Sequence, residues 1–309
     1  MRRATSGAPA LAALFLLVIA SRVTAQTATV PVVNPTEQLS FDRPEAWALK
    51  YFTSASLLTG LDTSRTPEPG SIAVGFEVSR LPALSDAQRR VGFNGTKVED
   101  LNKAPVFPRL RVTIGLPDRF ALIVAGDPPI RSFGIKTKLL AFALERPVYE
   151  TPAWSVGLRG FGQIGNVEAA FTCPASVLAF APDSLSNAYG CQAESSDTAS
   201  LRFAGGQLGV AYRGDRLHKV SPHAAIAVNY LSLAFQVNAL RDGFLDRTYQ
   251  TSHGVTFAAS GGIGYPLTGR LRAAVDLCYT PLSVSRFAGA PTQNDGLFNV
   301  RALIAYQLR

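Results

Sequence analysis

Apolar and polar residues alternate with a period of two along most of the chain beyond residue 70. Because successive side chains of a β-strand point to opposite faces, this alternation predicts strands that each carry one apolar face. Ten such runs can be counted, each bounded by residues that favour turns, and they predict an all-β fold. The runs span residues 71–79, 108–116, 119–126, 132–145, 153–164, 200–213, 221–237, 248–265, 270–285 and 296–309.

The connections between these runs largely alternate between short and long. Residues 117–118, 146–152, 214–219 and 266–269 are short connections, and most of the others are much longer. A transmembrane antiparallel β-barrel has this arrangement, with tight turns on the inner side of the membrane and long loops outside. Lipid also requires a closed sheet, because an open edge leaves backbone groups without hydrogen bonds. We expect a barrel of ten strands.

Two alternatives to the ten-stranded barrel remain. Twelve strands result if residues 81–106 or the N-terminal leader add a pair. A soluble periplasmic all-β domain would also show alternating strands.

The first 25 residues have the pattern of a secretory signal peptide. Arg2 and Arg3 precede an apolar run of thirteen residues, and Ala25 ends a small-residue cleavage pattern. A membrane anchor is the alternative, but the run is shorter than the roughly 20 residues that span a bilayer. We assign residues 1–25 to the signal peptide, 26–70 to a leader with a helix, and 71–309 to the barrel.

One amphipathic helix is predicted within residues 42–60, since Pro44 suits a first turn and Gly60 can close the helix. It precedes the first strand, so we expect it on the periplasmic side, as a plug or cap of the lumen. A helix lying on the membrane surface is the alternative. The expected plug contacts are Trp47, Tyr51 and Phe52.

Net charge and mean hydropathy indicate whether the protein binds nucleic acid or faces lipid. The formal net charge is +8, and loss of the three arginines of the signal peptide leaves +5. Basic residues are not clustered among aromatic ones, which is evidence against nucleic-acid binding. The mean hydropathy of +0.14 is high for a soluble exported protein and favours strands that face lipid.

If the apolar strand faces meet lipid, the opposite faces meet the lumen. An arginine-lined lumen would favour anions or carboxylate-bearing solutes. The alternative is a lumen filled by arginine–acid pairs, because eight strands leave no open channel and water-filled pores need about 16. The residues assigned to the interior are Glu77, Arg109, Arg111, Arg119, Arg159, Arg213, Arg272, Asp276 and Arg301.

Two cysteines lie in a polar, loop-like segment. Cys173 and Cys191 are expected to form a disulfide that constrains one loop, because exported proteins meet an oxidising compartment. Cys278 lies in a strand pattern, where it is a small filler residue.

Catalysis and cofactor binding have little support in the sequence. Ser252 and His253, with Asp242 and Asp246 in the loop beside them, form a possible hydrolytic constellation. No motif of a phospholipase or protease barrel accompanies it, and no histidine or cysteine spacing suits zinc. We therefore expect no enzyme activity, no metal and no cofactor.

The stretch "RVTIGLPDRFALIVAGDPP" resembles the strand–turn–strand units of bacterial outer-membrane channels linked to aromatic-compound degradation. Those channels loosely resemble fatty-acid transporter barrels, which have an N-terminal hatch. The likeness covers the barrel pattern and the turn residues Gly115, Leu116, Pro117 and Asp118. It implies a barrel that passes small hydrophobic or anionic solutes.

The expected function is a passive, porin-like channel or transporter for small solutes in the outer membrane of a Gram-negative bacterium. Its other expected partners are outer-membrane lipid and the barrel-assembly machinery. A non-transporting structural or adhesive barrel, acting through its outer loops, is the alternative. A disulfide-constrained exposed loop would favour that alternative, and a continuous arginine-lined lumen would favour the channel.

Deletion of residues 27–60 tests the predicted plug. If these residues occupy the lumen, the deletion variant conducts ions more strongly than the full chain in planar-bilayer recordings. Equal single-channel conductance of the two proteins would contradict the plug.

Overall fold

Ten antiparallel strands form a closed barrel in the computed structural model, as the alternation predicts. The structure describes residues 30–61, 67–128, 130–214, 217, 219–287 and 289–308, so the predicted signal peptide lies outside the described residues. The strands are β1 Ile72–Arg80, β2 Val106–Gly115, β3 Ala121–Gly126, β4 Ile135–Glu150, β5 Trp154–Ala169, β6 Asp197–Tyr212, β7 Ser221–Gln236, β8 Tyr249–Pro266, β9 Leu271–Thr280 and β10 Leu297–Gln307.

Each strand pairs with its neighbours in chain order, and the last strand pairs with the first. In that closing pair, Arg301 of β10 lies opposite Ser79 of β1, and Tyr306 lies opposite Val74. The final stretch of the sequence is therefore the strand that removes the last open edge of the sheet. Strands β10, β1 and β2 are neighbours, so Arg301, Glu77, Arg109 and Arg111 lie on adjacent strands.

Alternate residues of each strand face inward and outward. In β10, Phe298, Val300 and Ile304 are exposed on the outer surface, whereas Asn299 and Arg301 are buried in the interior. The same alternation places an apolar band around the whole barrel, which far exceeds the apolar patches of soluble monomers. Trp154 and Tyr212 pack edge-to-face at the end of this band, with ring centroids 5.0 Å apart.

The two ends of the barrel differ in their connections. The short-turn end carries residues 116–120, 151–153, 213–220 and 267–270. The long-loop end carries residues 81–105, 127–134, 170–196, 237–248 and 281–296. Strands β4 to β8 contain 16 to 18 residues, more than a bilayer requires.

Short helices and short strands lie at the long-loop end. Helix α1, Pro44–Ala55, is followed in sequence by the one-turn helices α2, Asp86–Arg89, and α3, Gly92–Gly95. A 3₁₀ turn at Ala175–Val177 also belongs to the long-loop end, whereas the one at Pro117–Arg119 lies in the short turn between β2 and β3. The remaining short strands are Val32–Val33, Thr36–Gln38, Arg90–Val91, Lys97–Val98, Arg131–Ser132, Ala239–Arg241, Phe244–Asp246, Ser283–Val284 and Gln293–Asn294.

Helix α1 lies at the long-loop end, so its expected position on the side of the short turns is wrong. The indole of Trp47 donates to the carbonyl of Asp295, and the hydroxyl of Tyr51 donates to the carbonyl of Pro82. Both acceptors belong to long loops. Adjacency in sequence to β1 misled the prediction, because the chain between α1 and β1 is long enough to pass through the barrel.

The helix is also shorter than expected, and Gly60 does not close it. It ends at Ala55, and Gly60 lies five residues further on with a φ of +72°. No helix in the described part of the chain is long and apolar enough to cross a membrane.

The predicted disulfide between Cys173 and Cys191 is present within the loop 170–196, with a Cα–Cα distance of 5.7 Å. Both residues are buried and pack against Val237 and Ala239 of the neighbouring loop. Cys278 is a buried free cysteine in β9, as expected of a filler residue.

Substitution of an outward residue tests the lipid-facing surface. Val275 is exposed at the middle of β9, so V275R should lower the free energy of unfolding by about 2–4 kcal/mol in lipid vesicles. L185R, at a fully exposed position of the loop 170–196, is the matched control and should have little effect. Equal unfolding midpoints for V275R and the unmodified protein would contradict the assignment.

Candidate functional site

The centre of the lumen is occupied by the chain's own residues 56–61, here called the threaded segment. These six residues follow α1 and run without regular secondary structure between the barrel walls. Leu57, Leu58 and Leu61 are almost fully buried there. Their backbone polar groups are removed from water and therefore need partners.

Three arginines of the barrel wall supply those partners for the carbonyl groups. Arg109 of β2 donates to the carbonyl of Ser56. Arg301 of β10 donates to the carbonyl of Leu57 at 3.0 Å and to that of Thr59. Arg159 of β5 donates to the carbonyls of Leu58 at 2.7 Å and Gly60 at 3.0 Å. Every carbonyl from residue 56 to residue 60 thus accepts a charged hydrogen bond.

Two side chains of the barrel wall accept hydrogen bonds from the last two amide groups of the segment. The amide of Gly60 donates to Oε1 of Gln207 at 2.8 Å, and that of Leu61 donates to Oδ2 of Asp276 at 2.5 Å. The other oxygen of Asp276 lies 2.5 Å from Nε2 of His223. Seven hydrogen bonds therefore join the backbone of the threaded segment to the wall.

Gly60 is required where the segment approaches β8 and β9. A Cβ atom there would collide with Oγ of Ser260 and Oδ2 of Asp276. Its φ of +72° also lies in the left-handed region, where glycine is favoured. Close backbone approach and backbone conformation both select glycine at this point.

Most of the predicted interior residues face the lumen, and several contact the threaded segment. Glu77, Arg109, Arg111, Arg159, Asp276 and Arg301 are buried. Arg111 lies 3.7 Å from Glu77, and Arg301 lies 3.7 Å from Asp276. That these residues line a path for solutes stays a prediction.

The other three predicted interior residues lie near the short turns. Arg119 is in the turn between β2 and β3, where its half-exposed side chain pairs with Glu150. Arg213 follows β6 and lies 3.7 Å from the same carboxylate. Arg272 is partly buried at the start of β9. Arg119 and Arg213 thus belong to the rim rather than to the centre of the lumen.

The sequence interpretation missed four wall residues that share this site. Glu145 of β4 accepts two hydrogen bonds from Arg159, at 2.6 and 2.9 Å, and Gln163 of β5 donates to Oγ of Ser56. Gln207 and His223 complete the set. Each occupies an inward-facing position in the alternation of its strand, so the period of two could have identified them as interior residues.

The predicted plug residues contact long loops. Trp47 stacks on Tyr51 and lies under the guanidinium of Arg286, 4.4 Å from the ring centroid. Phe52 packs against Phe171 of the loop 170–196. A buried lysine of α1, Lys50, donates to the carbonyl of Ser283 at 2.6 Å, and burial lowers its pKa to about 8.

A mostly apolar pocket of about 410 Å³ lies beside α1 at the long-loop end. This volume falls within the usual range of small-molecule sites. The Glu99 carboxyl lines it at 2.9 Å from Nζ of Lys97, and burial raises the pKa of Glu99 to about 7. The apolar residues that line the pocket include Ala48, Leu49, Phe52, Leu101, Phe171, Phe235 and Val237.

The possible hydrolytic constellation is not assembled. Ser252 is buried on the inner face of β8, and His253 is exposed on the outer face. In the described residues, no three His, Cys, Asp or Glu side chains form a group that could hold a metal ion.

Comparison with known proteins finds structural similarity to bacterial outer-membrane barrels. No family model and no curated protein matches the chain. The outer-membrane protease OmpT from Escherichia coli is 11% identical, with a TM-score of 0.39 over 81% of this chain and 99% of OmpT. The Pseudomonas putida toluene transporter TodX is 12% identical, with a TM-score of 0.32 over 79% of this chain and 68% of TodX.

A third similar structure is Ail, the attachment invasion locus protein of Yersinia pestis. It is 10% identical, with a TM-score of 0.27 over 78% of this chain and 99% of Ail. The matched barrels include a protease, a transporter and an attachment protein, and overlap at this level assigns none of these activities to the chain.

Breaking the buried Arg159–Glu145 pair should destabilise the barrel. R159M leaves the Glu145 carboxylate buried without its guanidinium partner, so the free energy of unfolding should fall by about 3–5 kcal/mol. The double variant R159M/E145M should recover part of that loss, and R202M, on the outer face of β6, is the control. Urea unfolding in lipid vesicles measures all three variants. A double variant no more stable than R159M would contradict this account.

Proposed function

We propose that the protein is an outer-membrane barrel that takes up small, largely apolar solutes, with α1 and the threaded segment as its internal gate. The observation that carries the proposal is an occupied lumen between two cavities. The apolar pocket of about 410 Å³ lies at the long-loop end, and a more polar cavity of about 450 Å³ lies at the short-turn end. Movement of the threaded segment would connect them.

The outer-membrane location rests on the barrel surface. The outward face is apolar around a closed sheet of ten strands, and short turns and long loops lie at opposite ends. In lipid a closed sheet pairs the backbone groups that an open edge would leave without hydrogen bonds. The resemblance of the β2–β3 unit to outer-membrane channels agrees with the same location.

The pocket chemistry supports an apolar solute. Leu49, Phe52 and Phe171 supply aliphatic and aromatic surface, and the Glu99 carboxyl, whose pKa burial raises to about 7, pairs with Lys97 at 2.9 Å. Glu45 and Glu37 of the same pocket share Arg43, at 3.0 and 3.2 Å, and Asp246 pairs with Arg241 at 3.0 Å. The pocket therefore offers little uncompensated charge to a solute.

The closed state is strongly held. Hydrogen bonds to charged groups contribute about 1.5–3 kcal/mol each, and five of the seven bonds to the threaded segment come from arginines. The donors of Arg109, Arg159 and Arg301 that bind the segment become available to a solute when the segment moves. An arginine-lined path for polar or anionic groups is thus a property of the opened barrel.

A second candidate function is adhesion or another role of the outer loops. The disulfide-constrained loop 170–196 exposes 48% of Phe180 and 103% of Leu185 at the long-loop end. Exposed apolar side chains on a constrained loop suit the binding of a partner.

Weakening the hold on the threaded segment tests the transport proposal. R159A/R301A removes four of the five arginine-to-carbonyl bonds and should raise the frequency of open-channel events in planar bilayers. R202A removes an arginine from the outer face and should conduct like the unmodified protein. If neither the unmodified protein nor R159A/R301A conducts, transport is rejected and the loop function is favoured.

A further inference from the structure

The chain passes through the barrel from the long-loop end to the short-turn end. Its first two described strands make parallel pairs at the long-loop end. Val32 lies opposite Leu245 of the loop 237–248, and Thr36 lies opposite Tyr249, the first residue of β8. At the other end, the amide of Gly70 donates to the carbonyl of Gly115 at 2.9 Å, next to a short turn. Residues 31–43 and the start of β1 therefore lie at opposite ends of the lumen.

The wall recognises the threaded segment through its backbone. Five consecutive carbonyls accept from Arg109, Arg159 or Arg301, and two amides donate to Gln207 and Asp276. These contacts are made to backbone groups, which all residues carry, although the close approach at Gly60 admits only glycine there. The buried wall residues are arranged to hold a stretch of polypeptide that has no regular secondary structure and turns at Gly60 and Leu61, whose φ angles are +72° and +48°.

We propose that the lumen is a binding site for a segment of polypeptide backbone, and that the protein uses it to carry its own N-terminal segment to the face of the long loops. Residues 31–43 are then displayed beside those loops. The inference concerns the direction in which the chain crosses the barrel and does not depend on solute transport.

Cysteine labelling in intact cells tests the direction. In the full chain, N34C places an exposed thiol in the N-terminal segment, I130C places one in a long connection, and P152C places one in a short turn. A membrane-impermeant maleimide should label N34C as completely as I130C. It should label P152C only after the outer membrane is permeabilised. The unmodified protein measures background from buried Cys278.

Labelling of N34C that follows P152C instead of I130C would overturn the inference. Because the comparison is between positions of the same barrel, it gives an answer whether or not the barrel transports a solute. A failure of the transport proposal is thus distinguishable from a failure of this one.

Removal of the wall contacts tests the binding site itself. N34C combined with R159A/R301A should lose labelling in intact cells, whereas N34C combined with R202A should keep it. I130C in the same R159A/R301A background shows whether the barrel is inserted. If the R159A/R301A protein is not inserted, N34C combined with Q207L is used in its place. Q207L removes only the uncharged acceptor of the Gly60 amide, and labelling of N34C should be reduced. Undiminished N34C labelling in an inserted wall variant would overturn the binding site.

Discussion

Charged hydrogen bonds between the barrel wall and the backbone of residues 56–61 are the interaction on which the interior depends. Arg109, Arg159 and Arg301 are buried, and burying a guanidinium is costly unless its donors are used. The carbonyls of the threaded segment accept from one or more nitrogens of each guanidinium, and the arginines in turn satisfy carbonyls that cannot reach water. Each partner makes burial of the other tolerable, so wall and segment form one interior.

This interior explains how a barrel of intermediate size avoids an empty lumen. The interior of eight strands is filled by side chains and open water channels need about 16, so the lumen of ten strands is intermediate in size. The threaded segment fills that space with backbone and with leucine side chains such as Leu57 and Leu61. The arginine–acid pairs expected from the sequence are present in part, since Arg159 pairs with Glu145, but they share the lumen with a polypeptide.

The long-loop end has a different physical character from the centre. Strands β4 to β8 extend beyond the length that a bilayer needs, and the loops above them enclose α1. Aromatic contacts such as Phe52 with Phe171 replace the charged contacts of the centre. An apolar pocket therefore lies next to the segment that blocks the lumen, so a solute bound in that pocket would contact α1 directly.

The alternation of apolar and polar residues determined the barrel, its ten strands and the inward position of Arg301. The composition of the segment that holds Cys173 and Cys191 predicted the loop disulfide. The same alternation placed Arg109 and Arg159 on the inner faces of their strands. What only the tertiary structure decided is the partner of those arginines. Residues 56–61 lie far from β5 and β10 in sequence and carry no periodic signal, and backbone carbonyls are common to all residues. Closure of the barrel around this segment therefore determined the site and placed α1 at the end opposite to the one its sequence position suggested.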